Sequence, residues 1–280
     1  MLVNDDFILL NLPKTGSSFT RKVLKEVHNK IKWDLSYRFQ KNRKTHVLKE
    51  LLLPNIRAEF AVLGKDQHGT YQQIPKEYLN SKRKVISVFR DPIEAYISRY
   101  YFQSYKWVAK NNDEFSNILT AKMPSFPEIS FDEYLNQFTE VYLEQGFKKM
   151  GIPVNKNIGL LSFQFIHFFA IDPISFFTKI QEQSIAEIDL KLYFPNIHFL
   201  FNETLSDDIY NCLMKFGYSD KHIQFIKNAE KENVTSRDKS IEELLSIDNL
   251  KTIQEKDQLL YRFFPNYKFR IEELIKDFSK

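Results

Sequence analysis

Short apolar runs alternate along this chain with longer stretches in which apolar residues recur every three or four positions. The short runs lie at residues 7–12, 60–64, 85–89 and 197–201. Each is about five residues long and mostly apolar, as a buried parallel strand should be. Helical periodicity follows three of them, at 18–30, 93–105 and 207–216. Strand–helix alternation of this kind predicts an α/β fold, a central parallel sheet flanked by helices. From about 107 to 189 the pattern is mostly helix and loop, which predicts an inserted helical layer over the sheet, where a substrate could sit. The most apolar stretch, 158–171, is too short to span a bilayer and carries Gln164 and His167. It predicts a buried helix. Residues 247–263 predict the last helix, with Pro265 ending it.

Composition narrows this picture in three ways. Hydrophobic residues make up 43 % of the 280 positions, enough for a large core, and nothing resembles a flexible boundary, so a single domain over 1–280 is expected. The net charge of +4 admits an anionic ligand but lacks the dense basic face of a nucleic-acid binder. The lone cysteine, Cys212, excludes an internal disulfide and a cysteine metal cage, and reads as a small buried hydrophobe. The start, MLVNDDFILLNL, is too short and too acidic for a secretory signal. The chain reads as cytoplasmic, without a membrane span. A lumenal catalytic domain cut free of its anchor would read the same way.

Candidate chemistry begins at LPKTGSSF, residues 12–19. Between a strand and a helix, this turn offers the outward N–H groups and positive dipole end of the helix start. Gly16 lets backbone approach a ligand, Thr15, Ser17 and Ser18 add hydroxyls, and Lys14 adds a full charge. Together they form a phosphate cradle. It is not the nucleoside-triphosphate loop, in which lysine directly follows the second glycine. The turn alone is equally a tight connection with a solvated lysine. A second segment, KVISVFRDPIEAYISRYYF (84–102), supplies a strand ending at Arg90, an N-cap at Asp91, Pro92 at the first helical position, and Ser98 further along. Arg90 and Ser98 have the donors to share one tetrahedral anion.

Strand–PKTGSSF–helix followed by strand–RDPxxxxxSxY–helix resembles the sulfotransferases that use 3′-phosphoadenosine 5′-phosphosulfate (PAPS). The resemblance implies a P-loop NTPase-like three-layer sandwich. It implies that Lys14, Thr15, Gly16, Ser17, Ser18 and Phe19 hold the 5′-phosphosulfate, and that Arg90 and Ser98 hold the 3′-phosphate. ENVTSRDKS (232–240) is similar to the loop that closes over the nucleotide, which brings Arg237 and Lys239 to the same phosphate. LFNETLSDDIYNCLMKFGY (200–218) is similar to a later strand–turn–helix of the family, but Asn202 stands where some branches place a tyrosine near the adenine. The closing helix segment resembles the carbohydrate-type and bacterial branch. The implied reaction moves a sulfuryl group to a hydroxyl or amine of a small-molecule or carbohydrate acceptor and leaves adenosine 3′,5′-bisphosphate, with no metal required.

In that reaction Lys14 faces the oxygen between phosphorus and sulfur, where negative charge builds. His68 follows the second predicted strand and is the expected base, with Asp66 to orient or replace it and Lys65 to touch the sulfuryl oxygens. The other histidines, 28, 46, 167, 198 and 222, lack this setting. Tyr101 and Trp107 are expected to line the acceptor pocket. Two other readings remain at this point: an ATP-dependent kinase with the same loop, and a non-catalytic domain that binds a partner through YISRYYFQSYKW. No Walker lysine or clear magnesium-binding carboxylate pair supports the former.

Overall fold

In the computed structural model, which describes residues 1–34, 47–50, 68–103, 105–106, 113–230 and 237–280, the first apolar run forms a strand with every side chain buried. The strands are β1 (Leu2–Val3), β2 (Phe7–Leu10), β3 (Lys49–Glu50), β4 (Lys84–Phe89) and β5 (Ile197–Phe201), in the order β3-β1-β2-β4-β5. β2, β4 and β5 are parallel, with Leu10 opposite Ser87 and Phe89 opposite Phe201. β1 and β3 pair antiparallel at one edge. Two-residue strands have no period to read, so sequence reasoning misses this edge and expects a purely parallel sheet. The strand expected at 60–64 lies outside the described residues.

The principal helices are α1 (Ser17–Trp33), α2 (Pro92–Phe102), α3 (Thr139–Lys149), α4 (Leu160–Phe169), α5 (Pro173–Glu182), α6 (Leu205–Lys215), α7 (Ile247–Lys256), α8 (Gln258–Phe263) and α9 (Pro265–Phe278). They and the sheet form two compact units. One holds the sheet, α1 and α6. The other holds α2–α5 and α7–α9.

In the sheet unit, Phe7, Leu9, Ile86, Val88 and Leu200 share one face. They pack against Phe19, Val23, Leu24, Val27 and Ile31 of α1 and Leu205, Ile209, Cys212 and Leu213 of α6. Each such side chain, fully buried, contributes about 1.5–3 kcal/mol. Burial pushes the Cys212 thiol up to about 11, so it stays protonated and inert at neutral pH. The hydroxyl of Ser87 donates to the Leu10 carbonyl at 2.9 Å and cross-links β4 to β2.

In the helical unit α4 is buried on all sides, as its uniform apolar run requires. Its one amide, Gln164, accepts from the buried Arg99 of α2. Phe163 and Phe177 stack, and Phe147 meets both edge-on, with centroids 5.1–5.2 Å apart. The helix expected over 247–263 breaks at Asp257. The cause is the carboxylate itself, which turns inward and accepts from the Tyr96 hydroxyl and the Ser162 N–H, each at 2.7 Å. A Cβ at Gly159 would come within 2.6 Å of that carboxylate, so only glycine fits beside it. Pro265 does not end the helical region. It occupies the first turn of α9, where its missing N–H costs nothing. α2 stops at Phe102 instead of 105, because Gln103 turns left-handed (φ 51°). No helix among the described residues is long and apolar enough to cross a membrane.

Candidate active site

β2, β4 and β5 end at a common edge of the sheet unit, as their parallel register requires. The carboxyl edge of a parallel sheet is where α/β proteins bind ligands. Asn11 directly follows β2 and leads into the Lys14–Gly16 turn. Arg90 directly follows β4, and Asn202 directly follows β5.

The turn has an unusual backbone. Lys14 adopts a left-handed conformation (φ 68°), and so does Gly16 (φ 100°). A left-handed lysine costs about 1–2 kcal/mol, so the surrounding structure has to hold it there. Two bonds do this. The Thr15 hydroxyl donates to the Leu12 carbonyl at 2.9 Å, and the Asn202 side-chain amide donates to the Thr15 carbonyl at 3.0 Å. Asn202 therefore braces the turn.

Gly16 caps α1 without any side-chain hydrogen bond, and the first turn of α1 carries no acidic residue. The first intrahelical bond runs from the Thr20 N–H to the Gly16 carbonyl at 3.1 Å. The N–H groups of Ser17, Ser18 and Phe19 precede it and so emerge at the positive end of the helix. Ser17 is buried, Ser18 exposed, and the Phe19 ring lies in the core. A helix start with a lysine before it, no acid in it and no side-chain cap suits an external anion.

A Cβ on Gly16 would lie 2.6 Å from Asn202 Nδ2 and 2.8 Å from a Leu205 methyl. Relieving the first clash breaks the brace on Thr15. Gly16→Ala is therefore expected to destabilise the fold by about 2–5 kcal/mol, the sum of a left-handed penalty and overpacking. Urea unfolding of both proteins measures this as a lower midpoint at unchanged slope.

His68 stands at the same edge. Its Nδ1 lies 2.6 Å from the Asn11 carbonyl. A carbonyl only accepts, so Nδ1 carries the proton and Nε2 of the neutral ring holds the lone pair. This tautomer suits a base acting through Nε2. His28 and His222 are buried elsewhere in the sheet unit, His222 against Asp34 at 2.6 Å, while His198 is exposed.

The sheet unit thus gathers Lys14, Thr15, Gly16, Ser17, Ser18, His68 and Arg90 at one edge. The sulfotransferase domain pattern matches residues 4–147, a little over half of the chain, including all of these positions. This chain belongs to the sulfotransferase family. It is 29 % identical over 113 residues to sulfotransferase 2A1 of Macaca fascicularis, a match that covers 39 % of this chain and 39 % of that protein. Membership agrees with the α/β class.

Ser98, Tyr101, Arg237 and Lys239 belong to the helical unit. Ser98 is buried on α2. The Arg237 guanidinium pairs with Glu94 on the first turn of α2, Nη1 at 3.5 Å from Oε1 and Nη2 closer to Oε2. The Tyr101 hydroxyl donates to Asp238 at 2.6 Å. Burial, and then this bond, push the Tyr101 phenol up to about 12. Lys239 is exposed. Lys65, Asp66 and Trp107 lie outside the described residues. Sequence reasoning missed Asn202 as a brace and Glu94 altogether. The available signal for Glu94 was its place four residues before Ser98, one turn away on the same helix face.

Proposed function

We propose that this chain is a PAPS-dependent sulfotransferase acting on a hydroxyl or amine of a small-molecule or carbohydrate acceptor. One observation carries the reading: the anion-ready turn around Lys14, the Arg90 at the end of the neighbouring strand, and a histidine of fixed tautomer share the edge at which the parallel strands β2, β4 and β5 end. The residues present fit the donor. A left-handed turn through Lys14 and Gly16 and an acid-free helix start without a side-chain cap suit the 5′-phosphosulfate. Arg90 suits the 3′-phosphate, with Ser98, Arg237 and Lys239 assigned to it by the family pattern.

The bound donor supplies the sulfuryl group and an adenosine bisphosphate leaving group. His68 takes the acceptor's proton at Nε2 as the oxygen or nitrogen attacks sulfur. The imidazolium formed keeps its Nδ1–H bond to the Asn11 carbonyl, so no reorientation accompanies proton transfer. Lys14 sets its ammonium where charge grows on the departing phosphate oxygen. It acts on the transition state more than on the ground state. The N–H groups at the start of α1 hold the phosphate in place for in-line displacement.

Thermal melting with adenosine 3′,5′-bisphosphate, with ATP–magnesium, or with neither tests the donor. A ligand at 100 times its Kd stabilises the folded chain by about 2.7 kcal/mol. The bisphosphate is expected to raise Tm and ATP–magnesium to leave it nearly unchanged. A rise with ATP–magnesium alone would make the protein a kinase. A rise with neither would make it a non-catalytic binding domain.

A further inference from the structure

Glu94, Ser98 and Tyr101 stand at positions i, i+4 and i+7 of α2 and form one stripe along its surface. The two ends of the stripe hold adjacent residues of one other segment. Glu94 pairs with Arg237, and the Tyr101 hydroxyl donates to Asp238 at 2.6 Å. Ser98 lies between these two ties and is 7 % exposed. The lower end of the stripe is itself fixed. Asp91 accepts from the Glu94 N–H at 3.1 Å, and Arg270 of α9 bonds Asp91 at 2.9 Å and approaches Glu94 Oε1 at 3.8 Å. Glu94 therefore sits in a frame that fixes its carboxylate before any ligand arrives.

We propose that Glu94 and Tyr101 are positioning residues for recognition of the donor's 3′-phosphate. They tie the Arg237–Asp238 segment across Ser98, so that the guanidinium and the serine hydroxyl are set together on one helix face. The inference rests on the PAPS reading above. A guanidinium presents five donors in a rigid fork, so a carboxylate that occupies two of them orients the others. Tyr101, expected from sequence to touch the acceptor, takes the role of anchoring the segment.

The test is equilibrium binding of adenosine 3′,5′-bisphosphate and of adenosine 5′-monophosphate to the full chain, as wild type, Glu94→Gln and Tyr101→Phe. The two nucleotides differ only in the 3′-phosphate. Glu94→Gln is expected to lose about tenfold in affinity for the bisphosphate and Tyr101→Phe about threefold, on the scale of charge-assisted bonds. Both should bind the monophosphate as wild type does, and Glu94→Asp should recover most of the loss. Equal losses for both nucleotides would reduce the pair to a structural role and overturn the proposal. Tighter bisphosphate binding by Glu94→Gln would overturn it too, because Glu94 would then compete with the phosphate. A wild-type protein that does not prefer the bisphosphate would overturn the donor reading itself, a separate result.

Discussion

His68→Ala should lower kcat about 10²- to 10⁴-fold, the range for removing a positioned general base. The effect should depend on the acceptor. An alcohol holds its proton tightly and needs the base most. A phenol releases it more readily and should lose less. Affinity for adenosine 3′,5′-bisphosphate should stay close to wild type, because Nε2 acts on the acceptor and not on the nucleotide. Added imidazole should restore part of the rate by filling the vacated space. The wild-type ring is pre-oriented, since the bond from Nδ1 to the Asn11 carbonyl fixes the tautomer. Steady-state rates over acceptors of graded acidity measure the effect. A uniform loss across that series would demote His68 to a support of the β2 end. A comparable loss in Asp66→Asn, with His68→Ala nearly intact, would move the role to Asp66.

Lys14→Met should cost about 3–4 kcal/mol of transition-state stabilisation, a fall in kcat of about 10²–10³, on the scale of removing one oxyanion donor. Methionine keeps the unbranched stem, and both residues carry a Cβ, so the left-handed backbone at φ 68° is no more strained in the variant. Stability should therefore barely move, and a fall in rate belongs to the lost charge. The charge on the departing oxygen is larger in the transition state than in the bound donor, so kcat should fall far more than donor affinity. Single-turnover rates at saturating donor, beside bisphosphate binding, separate the two. Parallel losses in rate and binding would make Lys14 a ground-state anchor.

Strands β2, β4 and β5 were legible in the sequence because their signals are local. FILL is an unbroken apolar run, VISVF is interrupted only by Ser87, and Asp91–Pro92 is a cap followed by a first-turn proline, so β2, β4 and α2 could be placed from adjacent residues alone. The buried α4 was legible for the same reason. What escaped depends on distant partners. β1 depends on the edge that β2 offers, and β3 in turn pairs only with β1. The break at Asp257 arises because Tyr96 and the Ser162 N–H, far away in sequence, draw its carboxylate inward. The start of α9 at Pro265 was misread because proline ends one helix and begins another with equal ease.

At the candidate site the residue types were readable from motif spacing, but not their supports. Nothing beside Asn202 announces that its amide holds the Thr15 carbonyl. Nothing in His68-Gly69 announces that the ring will donate to Asn11. The pairing of Arg237 with Glu94 likewise joins segments 143 residues apart. Such bonds can be found only once the chain has folded.

The brace on the Lys14 turn also bears on how the protein is made. Asn202 and Thr15 are separated by 187 positions. A ribosome working at about 5–20 residues per second needs roughly ten to forty seconds to cover that distance. Throughout that interval the growing chain carries the residues of β2 and the lysine, yet lacks both β5 and the amide just after it that secures the bend. The bend around Lys14 is therefore secured only after residue 202 has been added to the chain.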